Sequence, residues 1–134
     1  VTAEALSAVI AMLDAHSGAD ALWVFGSEAS GNAGPESDLD LAVLFRQPPS
    51  TLERLDLQAR LAALAGRPVD LIDLDHAPPP LAFQVLRNGK LRVDRNPSRR
   101  HAFASALTGR YQDVSFLRAP IIRHLTMRLQ HGRT

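Results

Sequence analysis

The sequence predicts a small α/β (α+β) domain: a mixed sheet with flanking helices. Three observations carry this. Short β-rich apolar runs stand at 21–25, 38–45 and 68–74. Segments with apolar residues at three-to-four spacing alternate with them. Gly, Pro and Asn mark the joints, with no linker, repeat or low-complexity stretch. The 134 residues match the size of one domain, 1–134, with a C-terminal helical segment over 97–131.

Leu6, Val9, Ile10 and Leu13 predict a helix over 3–15, with Thr2 as its cap and Ser17-Gly18 as its stop. The run ALWVF ends at Gly26, and Gly31-Asn32, Gly34 and Pro35 punctuate the polar stretch that follows. DLDLAVLF, residues 38–45, alternates and then turns fully apolar, as a central strand does. Ser50-Thr51-Leu52-Glu53 has the form of a capping box, opening a helix whose expected apolar stripe is Leu52, Leu55, Leu61 and Leu64 and whose stop is Gly66. PVDLIDL is the third strand. Pro80 opens a short helix through Leu86 that stops at Asn88-Gly89, before the brief strand KLRV. Asn96-Pro97 starts the last helix, with Phe103, Leu107, Tyr111, Val114 and Leu117 in line. Pro120 kinks or breaks it, and Ile121, Ile122, Leu125 and Leu129 continue the stripe toward self-association or a partner.

Composition narrows the chemistry. With no Cys there is neither disulfide nor thiolate metal site, and the five His lack zinc-binding spacing. No apolar stretch is long enough to span a bilayer and no signal-like N-terminus is present, so a cytoplasmic protein is expected. A net charge of +1 gives no nucleic-acid footprint by itself. The bases nevertheless crowd the second half, from Arg87 onward, as a solvated helix face or a surface for a phosphate-bearing or acidic partner. Trp23, Phe25 and Tyr111 read as packing residues.

Two carboxylates interrupt the best strand. Asp38 and Asp40, two apart on a strand, share one face at about 7 Å, while Leu39, Leu41 and Val43 face the other way. Like charges this close repel, and burial penalises them further. A divalent cation removes both objections, and oxygen-only ligands suit Mg²⁺ or Mn²⁺ completed by substrate phosphate and water. Gly26-Ser27, leaving the preceding strand, forms a corner where a phosphate approaches the backbone and the serine hydroxyl donates to it. Neither a P-loop nor a dinucleotide fingerprint is present. A third carboxylate is sought in PVDLIDL. Asp70 shares a face with Ile72 and Leu74, and Asp73 with Val69 and Leu71; pattern alone does not choose. Asp70, deeper in the strand where a charge is costlier, is the candidate. Asp75 reads as a cap, and Ser37 as a turn hydroxyl.

Gly26-Ser27, ten residues, then Asp38-x-Asp40 and a strand with another Asp resemble the minimal nucleotidyltransferase antitoxins of the polymerase-β-like superfamily, partners of HEPN-domain toxins. The similarity runs through GSEASGNAGPESDLDLAVLF, GRPVDLIDL, APPPLAFQVLRNGKLRV and RRHAFASALTGRYQDV. It implies a polymerase-β-like fold and a Mg²⁺-dependent (or Mn²⁺-dependent) enzyme. By the same resemblance Gly26, Ser27 and Ser37 bind nucleotide, and Asp38, Asp40 and Asp70 are catalytic and hold metal. The implied reaction moves AMP from ATP to a hydroxyl, expected to be a tyrosine of a cognate HEPN toxin, with release of pyrophosphate. The alternatives are an antitoxin acting by binding alone, or transfer to RNA or a small molecule. One letter departs from the family's G-S-x-A-R-G: Ser30 stands where arginine is usual, which puts efficient catalysis in question. Arg87 or Arg67 is then a candidate substitute for the missing charge.

Overall fold

The computed structural model of the chain describes residues 2–26 and 38–110. Ser27, Ser30, Ser37, Tyr111 and the stretch around Pro120 lie outside the described residues. The element order is α1 (Ala3–Ser17), β1 (Ala19–Phe25), β2 (Leu39–Phe45), α2 (Thr51–Ala65), β3 (Val69–Asp73), a 3-10 turn (Leu74–His76), α3 (Pro79–Asn88), β4 (Lys90–Asp94) and α4 (Pro97–Arg110).

The helix boundaries follow from their caps. Thr2 Oγ1 accepts from the Ala5 amide at 3.0 Å. Ser50 and Glu53 form the reciprocal capping box, and Gly66 closes α2 in the left-handed conformation. Asn96 Oδ1 accepts from the Arg99 amide, with Pro97 as the first helical residue. The cap of the 3-10 turn is Asp73, whose carboxylate accepts from the Asp75 amide. Asp75, expected as a cap, lies inside the 3-10 turn that Asp73 caps, two positions earlier, and its carboxylate instead faces Arg99.

The sheet order is β3-β2-β1-β4, with β2–β3 parallel and the other pairs antiparallel. It is the mixed sheet the sequence predicts. Strand parity sorts the core into two layers. On one face Val24, Leu39, Leu41, Val43, Phe45 and Leu71 pack under α1 and α2. On the other, Trp23, Phe25, Ala42, Leu44 and Ile72 pack under α3 and Leu107 of α4. Buried leucines and aromatics of this kind contribute about 1.5–3 kcal/mol each. Close packing reaches the backbone at Gly89, where a Cβ would lie 2.6 Å from the Val85 carbonyl and 3.3 Å from Cβ of Trp23.

The face of α2 differs from the expected stripe. Leu57 and Leu61 are buried, whereas Leu52, Leu55 and Leu64 are 79%, 52% and 39% exposed. The helix is rich in leucine around its circumference, so spacing fits more than one face; the neighbouring sheet selects the line through Leu57, Leu61, Ala62 and Ala65.

The late-chain bases are drawn into the fold. The Arg99 guanidinium donates to Asp20 at 3.0 Å, to the Phe45 carbonyl at 2.9 Å and to Asp75 at 2.5 Å. Arg95 pairs with Asp14, and Arg100 grips Asp94 through two hydrogen bonds of 2.9 Å. These contacts pin α4 to the far end of the sheet. Arg87, Lys90 and Arg92 stay exposed.

Candidate active site

The opposite end of the sheet collects the carboxylates. Phe25 of β1 is the register partner of Asp40 on β2, and Asp40 is the register partner of Asp70 on β3. Residues level in adjacent strands send their side chains to the same face, and strands lie about 4.8 Å apart. Asp40 and Asp70 therefore stand side by side on the face that carries Ile72 and Ala42. Asp40 is only 6% exposed, and Asp70 is half-buried. Burying a carboxylate is expensive unless charge or hydrogen bonds compensate it.

Asp38 stands just before β2, half-buried. Its position is fixed by the next residue, since the Leu39 amide donates to the Pro68 carbonyl at 2.9 Å. That bond brings the turn before β3, with Arg67 in it, alongside Asp38. Arg87, the other arginine considered as a replacement for the charge missing at Ser30, is exposed in the last turn of α3.

Gly26 closes the row from the β1 side. Its φ is +75°, and a Cβ there would meet Asp40 Oδ2 at 2.5 Å. Only glycine takes this backbone conformation at no steric cost and leaves the carboxylate in place. The missing side chain at position 26 therefore lets the Asp40 carboxylate pack directly against the backbone.

Asp73, the alternative third carboxylate, belongs to another network. It pairs in register with Val43, caps the 3-10 turn, and lies 2.9 Å from His76 Nδ1. The structure thus places Asp38, Asp40, Asp70 and Gly26 at one end of the sheet and Asp73 at the other end of β3. Among the described residues no three His, Asp or Glu side chains converge closely enough to cage a metal by themselves. The donor set nevertheless fits a hard cation that takes one or two carboxylates and completes its shell from a substrate phosphate.

Arg54 was not singled out from the sequence. It lines the open side of β3 together with Gln58, whose Oε1 accepts from the Leu71 amide at 2.8 Å. Arg54 and Gln58, four apart in α2, share one face of the helix.

A carboxylate row beside a glycine at the end of a strand suits a hard cation completed by a substrate phosphate. The chain belongs to the polymerase β nucleotidyltransferase family, whose model matches residues 7–98. It is 36% identical over 69 residues to the protein adenylyltransferase MntA of Shewanella oneidensis, a match covering 52% of this chain and 50% of that protein. The chain thus spans about half the length of that curated relative. Among solved structures, it is similar to a chain of a toxin–antitoxin crystallised with AMP-PNP, at 26% identity and TM-score 0.73, covering 94% of this chain and 99% of that one. It is also similar to a chain of the tri-AMPylated Shewanella oneidensis HEPN toxin in complex with MNT antitoxin, at 27% identity and TM-score 0.68, covering 92% and 97%. No helix among the described residues is long and apolar enough to cross a membrane.

Proposed function

We propose that this chain is a Mg²⁺-dependent (or Mn²⁺-dependent) protein adenylyltransferase that silences a HEPN-domain toxin by placing AMP from ATP on a hydroxyl, a tyrosine in the simplest reading. The observation that carries it is the row in which Asp40 and Asp70 are register partners while Gly26 lets the Asp40 carboxylate sit directly against the end of β1. Support comes from the family and from the similar chains in complexes that hold AMP-PNP or an AMPylated HEPN toxin.

Bound metal supplies charge neutralisation of the triphosphate and lowers the pKa of a coordinated hydroxyl. Asp38 and Asp40 would hold it, with Asp70 completing the ligand set. Gly26 gives the triphosphate access to the backbone at the end of β1, with Ser27 and Ser37 as nucleotide-binding hydroxyls. The acceptor oxygen forms a bond to the α-phosphorus, the bond to the bridging oxygen breaks, and pyrophosphate leaves in line. Asp70, beside the attacking oxygen, takes the hydroxyl proton.

The test is incubation with Mg²⁺, ATP labelled at the α-phosphate and the cognate HEPN-domain protein. Label is expected on the partner, lost on chelation and lost in the D38N/D40N double variant. Neutralisation that survives the double variant, with no mass added to the partner, would replace this reading with an antitoxin that acts by binding alone.

A further inference from the structure

We propose that the trough along the outer edge of β3 receives the acceptor polypeptide. Its occupant is an extended segment that turns its hydroxyl toward Asp70, lays an apolar side chain on Leu55 and Ala59, and meets Arg54 with an acidic group. This rests on the adenylyltransferase reading and names the side from which its second substrate enters.

The trough has a volume of about 520 Å³, with Leu55, Ala59 and Ala62 of α2 on one wall and Asp70, Leu71 and Ile72 of β3 on the other. Asp70 therefore belongs both to the carboxylate row and to the trough lining, so the two meet at this residue, around the edge of β3. A second hollow of about 350 Å³, lined by Pro49, Thr51, Arg54 and Asp73, continues it along the strand. Arg54 lines both, giving a carboxylate-bearing segment a partner midway. Leu55, 52% exposed on the rim, and Leu52, 79% exposed one turn earlier, contribute nothing to the core; they offer apolar area where the trough opens.

Edge geometry favours an extended occupant held by side chains. The Pro68 carbonyl faces β2, where it accepts from Leu39. Along a parallel strand the backbone groups of Asp70 and Ile72 then face β2 as well, and those of Val69, Leu71 and Asp73 face outward. Gln58 already satisfies the outward Leu71 amide, so this edge is guarded against indiscriminate strand pairing.

Reaction geometry chooses the side. Across the sheet the order is Gly26 on the β1 side, Asp40 on β2, Asp70 on β3, then the trough. In-line displacement puts the entering oxygen and the departing pyrophosphate on opposite sides of the α-phosphorus. With the triphosphate drawn to the glycine corner, the acceptor arrives from beyond Asp70. The other edge, at β4, lies behind the phosphate corner.

The experiment compares L55E and R54E with L91E, whose leucine is 39% exposed on the opposite edge strand. Transfer of AMP to the purified cognate HEPN-domain protein and affinity for Mg²⁺–AMP-PNP are measured for each, with thermal melting to verify folding. L55E and R54E are expected to lower kcat/KM for transfer by at least about tenfold through KM for the acceptor, with nucleotide affinity within about twofold of wild type. L91E is expected to behave as wild type. Because the chain has no cysteine, L55C also accepts a single photo-crosslinker, which should attach to the partner within a few residues of the modified hydroxyl. Wild-type KM in both trough variants, or a crosslink remote from the modified residue, overturns the trough while leaving the enzyme reading intact. Wild-type protein that transfers nothing to its partner overturns the enzyme reading, and the acceptor role with it.

Discussion

A Cβ on Gly26 would stand 2.5 Å from Oδ2 of Asp40, so the turn that ends β1 is held directly against the carboxylate that β2 buries. Gly26→Ala is therefore strained twice, once by its φ of +75° and once by the collision. The backbone strain costs about 1–2 kcal/mol, which melting would read as a modest loss of stability. The collision moves Asp40 by a substantial fraction of an ångström, and displacement on that scale costs about a hundredfold in rate. AMP transfer by the folded G26A protein should fall accordingly. A variant that melts lower but transfers at the wild-type rate would show that the position of Asp40 is not what the glycine protects.

Asp70 and Asp73, three residues apart, make opposite predictions. Asp70→Asn keeps the shape of a half-buried side chain and should melt close to wild type while losing at least about a hundredfold in transfer. Asp73→Ala removes a cap and the contact with His76, costing about 1 kcal/mol, and should leave transfer within a few-fold. Equal loss of transfer in the two variants would remove the special place given to Asp70.

Strand alternation alone did not choose between these two aspartates, although depth in the strand favoured Asp70, and the reason is physical. A period of two fixes that residues 70 and 72 share a face, yet says nothing of which face of β3 meets which face of β2. That depends on cross-strand register, Asp40 against Asp70, and register is a tertiary property. Caps were legible because they are local: Thr2, Ser50 and Asn96 act within three residues of themselves. The roles of Arg95, Arg99 and Arg100 were not. The sequence separates most acids from most bases, and only the fold brings Asp14 and Asp20 to arginines some eighty positions away.

The leucines of α2 test the corrected face of that helix. Leu57→Ala and Leu61→Ala empty fully buried positions and should each destabilise by about 2–4 kcal/mol in denaturant titrations. Leu52→Ala and Leu64→Ala, at exposed positions, should stay within about 0.5 kcal/mol. Comparable losses at Leu64 and Leu61 would restore the stripe read from spacing alone.

Acid should loosen the attachment of α4 to the edge strand β4. The hydrogen bonds from Arg100 hold the Asp94 carboxyl below the usual carboxylate range, and the same pair raises Arg100. A lowered folded-state pKa means that the unfolded chain binds more protons in acid. The contribution of Asp94 is then complete above the ordinary Asp value and is lost as pH falls through the lowered one. Glu53, lowered chiefly by its hydrogen bond from the Ser50 amide, acts in the same direction at the start of α2. Melting temperature should thus be flat near neutrality and fall through the acid carboxylate range. D94N should start lower at neutral pH and fall less steeply in acid, and added salt should narrow the difference because the pair is exposed. Parallel pH curves for D94N and wild type would mean that the pair in the folded protein contributes nothing to the acid sensitivity.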